Sequence, residues 1–289
     1  MTEWTIQKLL NWIAEYFTEN AIDSPRLSAE ILLSHVLELK RIELYTQFDK
    51  PVPRPKLDQL HALVKRAAQK EPVPYLTGTT EFYSLQLEVN NHCLIPRPET
   101  ELLVERAVEF LRPRNPDQLV CDLCTGSACI AIAIAANCST ARIIATDICD
   151  SALKIAEQNI EKHRLKDRIK LLQGDLFEPI IPQLDTEKFD LVVTNPPYVS
   201  SAEFDQLDKN IKDYEPASAL LAGDDGLDIC RRIIASAEKF LKPDGALFME
   251  IGCNQGTAVK ELLENTKSFD HITIEKDYHE NDRVVLAKK

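Results

Sequence analysis

No stretch of this chain is apolar for the roughly 20 residues a membrane-crossing helix needs. The longest wholly apolar run, Ala128 to Ala136, has 9 residues. The first twenty residues lack the apolar core of a secretory leader and carry Glu3, Glu15 and Glu19 among spaced apolar positions. The chain is therefore expected to begin a domain directly, to work in the cytoplasm, and to have no membrane partner. Positive charge is also scarce, at 34 Lys+Arg against 46 Asp+Glu for a net charge of −12. Residues 1–95 hold 10 basic and 12 acidic side chains, whereas residues 96–289 hold 24 and 34. A region that acidic repels a phosphate backbone within a Debye length, which disfavours nucleic acid as a direct partner and favours a protein substrate. None of the 6 histidines falls in a motif. The 8 cysteines are scattered through predicted strands and helices, which suits a reducing compartment better than a disulfide scaffold. Cys121, Cys124 and Cys129 lack a second ligand cluster, so no metal is expected.

What is present concentrates around Asn195-Pro196-Pro197-Tyr198, which closes the apolar run Phe189 to Thr194. Two prolines donate no backbone hydrogen bonds and hold φ near −65°, so a strand entering them stops and turns its last carbonyls outward. An asparagine amide beside outward carbonyls can hold a planar NH₂ group by both protons, with the tyrosine ring as an apolar wall. Upstream, Leu119 to Leu123 reads as a buried strand, Cys124-Thr125-Gly126-Ser127-Ala128 as a small-residue turn, and Cys129 to Ala136 as a helix. This is the first βα unit of a nucleotide-binding sheet with a poor glycine fingerprint: only Gly126 remains. A second strand, Ala141 to Thr146, ends at Asp147, 21 positions after Gly126 and near the offset of a ribose-binding acid. A third, Ile169 to Gln173, ends at Gly174-Asp175-Leu176, where a carboxylate and a neighbouring backbone N–H can read an adenine edge.

Helical spacing of Ile6, Leu9, Leu10, Ile13 and Phe17, and again of Leu27, Ile31, Leu32 and Val36, predicts two core-facing helices. The second has Asp23-Ser24 as a capping candidate and Pro25 in its first turn. A further helix over 57–69 completes a helical bundle over 1–72, expected to recognise the protein substrate. Residues 73–95 are expected to form a linker with a β-hairpin over 79–94, and 96–289 the catalytic domain, whose first helix has Pro98 near N1. A helix over 227–241 ends at Lys242-Pro243-Asp244-Gly245, and Ala246 to Ile251, His271 to Glu275 and Arg283 to Ala287 supply the last strands. The fold class is α/β, with seven strands, mainly parallel with an antiparallel edge.

In their order, the strand-turn signature, Asp147, Gly174-Asp175 and Asn195 to Tyr198 resemble class I S-adenosylmethionine methyltransferases that modify exocyclic or amide nitrogens. More narrowly, the chain is similar to the HemK-type release factor glutamine methyltransferases. That match is carried by Pro74-Tyr75-Leu76-Thr77-Gly78, Ile95-Pro96-Arg97-Pro98-Glu99-Thr100-Glu101, Glu215-Pro216, Gly223-Asp224-Asp225-Gly226-Leu227, Glu250-Ile251-Gly252 and Gln255-Gly256. Two positions depart from the family pattern: Ala128 and Ser84 stand where glycine is usual. The resemblance implies a seven-stranded Rossmann-like domain behind a small helical bundle, and S-adenosyl-L-methionine as cofactor. It implies cofactor binding by Asp122, Cys124, Thr125, Gly126, Ser127, Ala128, Asp147, Asp175, Leu176 and Asn195. Substrate binding and catalysis fall to Asn195, Pro196, Pro197 and Tyr198, with Arg97, Glu99 and Thr100 bordering the pocket. The implied acceptor is the glutamine of the Gly-Gly-Gln loop of peptide chain release factors. A ribosomal-protein glutamine methyltransferase and a nucleic-acid exocyclic-amine methyltransferase would share the central motifs. A dinucleotide oxidoreductase would share the first two strands, and a non-enzymatic binding protein could retain the fold.

Overall fold

The computed structural model describes residues 4–114, 117–183 and 188–289; Glu3, named above among the acidic residues of the first twenty, lies outside them. The chain parts into two compact units, one reaching to Thr79 and including Asp208–Tyr214, the other comprising Thr80–Leu207 and Glu215–Lys289. The residues read as a linker, 73–95, are divided between them.

The first unit is helical: α1 (Ile6–Glu19), α2 (Pro25–Leu37), α3 (Arg41–Thr46), α4 (Arg54–Ala68) and α5 (Val73–Thr77). The predicted α1 stripe, Ile6, Leu9, Leu10, Ile13 and Phe17, is buried. In α2 the buried apolar residues are Ala29, Leu32, Leu33 and Val36, while Leu27 is 39% exposed. Two residues are about 200° of helical rotation, so a face centred on Ala29 turns Leu27 outward. Ser24 occupies the α2 N-cap in a left-handed conformation with no side-chain capping bond. The same helix buries Glu30, which accepts from Arg26 at 3.0 Å, from Arg41 at 2.9 Å and from the Tyr45 hydroxyl. Burial alone would raise its pKa, but these three donors outweigh it and hold the carboxyl below its usual value. The Asp208–Tyr214 segment is tied in by Tyr214, whose hydroxyl donates to the Gln69 carbonyl at 3.3 Å.

The second unit opens with a hairpin, β1 (Thr79–Phe82) and β2 (Leu85–Glu88). Its turn residues Tyr83 and Ser84 both have positive φ, +49° and +63°. That pattern belongs to a two-residue primed turn, which explains why glycine suits position 84. After α6 (Thr100–Leu111) come β3 (Leu119–Leu123), α7 (Cys129–Asn137), β4 (Arg142–Asp147), α8 (Asp150–Lys162), β5 (Ile169–Gln173) and β6 (Phe189–Thr194). The one-turn helices α9 (Ser201–Phe204) and α10 (Lys209–Lys212, within the segment assigned to the first unit) precede α11 (Asp228–Phe240), β7 (Leu241–Glu250), α12 (Gly256–Thr266), β8 (His271–Lys276) and β9 (Asp282–Lys288).

The strands form one seven-stranded sheet in the order β5-β4-β3-β6-β7-β9-β8, parallel except at β9, which runs antiparallel to β7 and β8. This is the predicted Rossmann-like architecture. The central strand β3 is buried at every residue. Alternate side chains sort to opposite faces: Val120, Leu191, Val193 and Phe248 pack into one core, and Cys121, Leu123, Val192 and Met249 into the other.

Two local expectations are corrected. Helix α6 begins at Thr100 with Glu99 as N-cap, so Pro98 lies before it; Thr100, Glu101 and Leu102 donate to carbonyls three residues back, a tight turn ahead of the helix. The Lys242–Gly245 stretch is not a separate turn but a bulge within β7, whose partners jump from Phe189↔Leu241 to Leu191↔Ala246. No helix among the described residues is long and apolar enough to cross a membrane.

Candidate functional site

The parallel strands end together, and the chemistry-bearing residues follow those ends. At the end of β6 the Thr194 hydroxyl donates to the Leu123 carbonyl at 2.8 Å, tying β6 to the end of β3. The prolines then stop the strand. Asn195 Nδ2 donates to Thr100 Oγ1 at 3.2 Å, leaving Oδ1 as the end of the amide able to accept. The Tyr198 hydroxyl donates to Glu250 Oε1 at 3.3 Å, and burial followed by the Glu250 charge raises its pKa. Glu250, at the end of β7, is 1% exposed; burial pushes its pKa up to about 7.

At the end of β3, Asp122 is fully buried and accepts the Thr125 hydroxyl at 2.6 Å, with burial pushing its pKa up to about 7. Thr125 N donates to the Thr146 carbonyl at 3.0 Å, tying the turn to β4. Asp147 at the end of β4 accepts from Gly126 N at 2.8 Å and from Cys149 N at 2.9 Å. Burial raises its pKa against the pull of these amides. Three residues of the turn are left-handed: Cys124, Gly126 and Ala128, with φ of +57°, +56° and +63°.

These ends enclose a cavity of about 290 Å³, the lower end of small-molecule pockets. Of the residues the sequence singles out, Cys124, Thr125, Gly126, Ser127, Asp147, Asp175, Leu176, Asn195, Pro197 and Thr100 line it. Asp122 and Ala128 do not: both are fully buried, the first pinning Thr125 and the second packed in the core beside α7. Pro196 and Tyr198 are likewise absent from the lining, as are Arg97 and Glu99. Arg97 bonds to Glu215, whose other oxygen accepts from Ile95 N at 3.2 Å. That pair joins two of the quoted motifs, Ile95 to Glu101 and Glu215-Pro216.

Sequence reading missed several lining residues. Arg232, from α11, binds Asp175 at 2.6 Å; nothing in the local pattern distinguishes it from any surface arginine. Ile148 is 64% exposed and lines the cavity; its place directly after the strand-ending Asp147 was the available signal. Cys93, Cys129 and Cys149 also line it. Burial pushes the Cys93 thiol up to about 11 and those of Cys124 and Cys129 higher still, so these three are not thiolate nucleophiles at neutral pH. Among the described residues no three His, Cys, Asp or Glu side chains converge as metal ligands would.

The other motifs support the loop after Tyr198. Gln255 Nε2 donates to the Tyr198 carbonyl at 2.9 Å and to the Gly226 carbonyl at 3.2 Å, while its Oε1 accepts from Gly252 N at 2.9 Å. A Cβ on Gly226 would sit 2.4 Å from the Tyr198 carbonyl oxygen, so only glycine permits this approach.

Residues 8–78 match the family described as the PrmC N-terminal domain, and residues 115–283 the methyltransferase domain. The chain is 38% identical to the release factor glutamine methyltransferase of Rhodopirellula baltica, over 100% of this chain and 97% of that protein. It is 39% identical to the Geobacter sulfurreducens enzyme of the same name, over 98% and 96%. The hMettl16 catalytic domain in complex with MAT2A 3′UTR hairpin 1 shares the fold, with a TM-score of 0.58 at 19% identity over 82% of this chain and 81% of that one. With both parts of the chain matched and relatives this similar aligned from end to end, the chain belongs to the family of release factor glutamine methyltransferases.

Proposed function

We propose that the protein transfers a methyl group from S-adenosyl-L-methionine to the side-chain N5 of the glutamine in the Gly-Gly-Gln loop of peptide chain release factors, in the cytoplasm. The observation that carries this reading is the Asn195 amide at the cavity wall, its nitrogen engaged by Thr100 and its oxygen available to an acceptor NH₂.

The residues present fit the cofactor. A carboxylate offers about four lone-pair sites, and Asp147 faces three backbone amides, those of Gly126, Cys149 and Ile148, which leaves capacity for a ribose hydroxyl. Ile148 and Leu176 offer apolar surface for a flat base, and Asp175 with a neighbouring N–H offers its edge partners. Of the two carboxylates on the cavity wall, Asp175 is paired with Arg232, so Asp147 carries the negative charge that no ion pair offsets. The cofactor supplies an electrophilic methyl group when bound.

A glutamine amide nitrogen is a weak nucleophile because its lone pair is delocalised, so orientation must supply much of the rate. Asn195 Oδ1, on the cavity wall, accepts one amide proton, which orients the nitrogen and offsets the positive charge that grows on it; the carbonyl of Pro196, off that wall, is the proposed acceptor of the second. Pro197 keeps the rim rigid, and Tyr198 holds the loop from behind through Glu250. No side chain needs to act as base, since the methylated nitrogen is strongly acidic and releases its proton to a carbonyl or water.

The test uses labelled cofactor with purified release factor, the same factor carrying Gln→Ala in its Gly-Gly-Gln loop, and duplex DNA at physiological salt. Label is expected on the first alone. Label that survives the Gln→Ala change, or appears on adenine, overturns the assignment.

A further inference from the structure

Behind Asn195 lies a chain of polar groups that direct contact with a substrate does not explain. Thr100 Oγ1, which accepts from Asn195 Nδ2 at 3.2 Å, also stands close enough to the Glu250 carboxylate to lower its pKa. Tyr198 donates to the same carboxylate, on Oε1 at 3.3 Å. Glu250 itself is buried and absent from the cavity wall, and its Oε2 has no hydrogen-bond partner among the described residues. A buried carboxylate with one oxygen unpartnered is costly to hold in its charged form.

We propose that Glu250 is a positioning residue: as a carboxylate it can only accept, so it draws the Thr100 proton, leaves Thr100 only lone pairs to offer Asn195, and thereby fixes the Asn195 amide with Oδ1 toward the cavity. This rests on the glutamine-methylation reading given above. An asparagine amide looks nearly the same turned end for end, and only its partners distinguish the two orientations. Once Glu250 carries a proton it becomes a donor, Thr100 can turn to donate to Asn195 Oδ1, and the flipped amide faces the acceptor NH₂ with its own NH₂. Two donors then oppose each other.

The groups facing Glu250 set where this happens. Burial is the largest influence and raises its pKa to about 7; the Thr100 hydroxyl, the Arg283 guanidinium from β9 and the Tyr198 hydroxyl lower it, and Glu99 raises it. Cys129 of α7 also feels its charge, but as a neutral thiol. The ionised form is the competent one, so transfer is fully present above this pKa and lost as pH falls through it.

The full-length protein is assayed for transfer to release-factor glutamine across about pH 5.5 to 9. In parallel, the Asn195 side-chain amide is followed by ¹⁵N spectroscopy without cofactor. We expect wild-type kcat to fall about tenfold on acidification with a midpoint near neutrality, and the Asn195 amide resonances to move with the same midpoint. In Glu250→Gln, kcat should be about tenfold lower throughout, with the acid limb and the resonance shift both gone and cofactor affinity within about twofold. Thr100→Val should lose as much, and Thr100→Ser should recover most of it. Glu250→Gln or Thr100→Val with wild-type kcat and an unchanged acid limb overturns the proposal, as does an Asn195 amide insensitive to pH. A wild-type protein that transfers nothing to the glutamine overturns instead the reading beneath it, and the resonance titration still reports on the Glu250–Asn195 link.

Discussion

Asn195 sits one residue past β6 and Asp147 is the last residue of β4, and each does two jobs that a substitution would separate. Asn195 bonds Thr100 and borders the cavity; removing its side chain deletes an oriented acceptor in a dry site, about 3 kcal/mol or more and roughly a hundredfold in rate. Asn195→Ala should therefore abolish detectable transfer while calorimetry finds cofactor affinity within a few-fold; near-normal turnover would remove Asn195 from the mechanism. Asp147 accepts from Gly126 and Cys149, so it holds the turn after β3 and the start of α8 in addition to any ligand. Asp147→Ala should weaken cofactor binding by about 1.5 to 3 kcal/mol, as expected for a lost charge-assisted contact, and also lower Tm. A lower Tm with unchanged affinity would make the carboxylate purely structural. At this scale the sequence was most legible where spacing carried the information: Gly126 and Asp147, 21 residues apart, do touch. Arg232 on Asp175 and Thr100 on Asn195 were not legible as contacts, because each joins residues more than 50 positions apart through tertiary packing alone.

Among elements, strands β3 and β6 were readable because a doubly wound sheet buries its central strands on both faces, and such strands read as apolar runs. The ends of elements were less so. Leu27 faces solvent because the stripe of α2 centres on Ala29, and Glu30, the polar residue the core accepts, breaks the pattern that apolar periodicity detects. The two departures from the family pattern, Ser84 and Ala128, both prove to be left-handed positions. What glycine offers there is backbone freedom, and at Ala128 the methyl group points into the core beside α7 rather than into the cavity. Ala128→Gly should thus stabilise the fold by about 0.5 to 1 kcal/mol, the relief of a left-handed alanine partly offset by unfolded-state entropy and lost packing. Denaturant unfolding that finds the variant less stable would show that the methyl packing outweighs the strain.

For the whole molecule, the two fully buried carboxylates of the site region give a pH signature. Asp122 and Glu250 have folded pKa values pushed up to about 7 by burial, above the ordinary carboxylate range near 4. A raised folded pKa contributes stability that is fully present below the unfolded value and lost as pH rises through the folded one. Tm should accordingly decline between about pH 4 and pH 7, and Asp122→Asn, which stays neutral, should flatten part of that decline. An identical slope in the variant would mean that Asp122 is ionised in the fold at no cost. Glu30 acts in the opposite sense in the helical unit, since its lowered pKa contributes stability above the unfolded value that disappears in acid.

The helical unit also includes Asp208–Tyr214, about 130 residues beyond Thr79. On the ribosome those two pieces are separated in time as well as in sequence. At about 5 to 20 residues per second, the helices α1 to α5 wait roughly 6 to 26 s for the last piece of their own unit to be synthesised, and β3 to β6 emerge first. A nascent chain halted before Asp208 would expose the face that Tyr214 and its neighbours later cover, and chaperone binding or proteolysis of such stalled chains should differ from that of chains halted after Glu215.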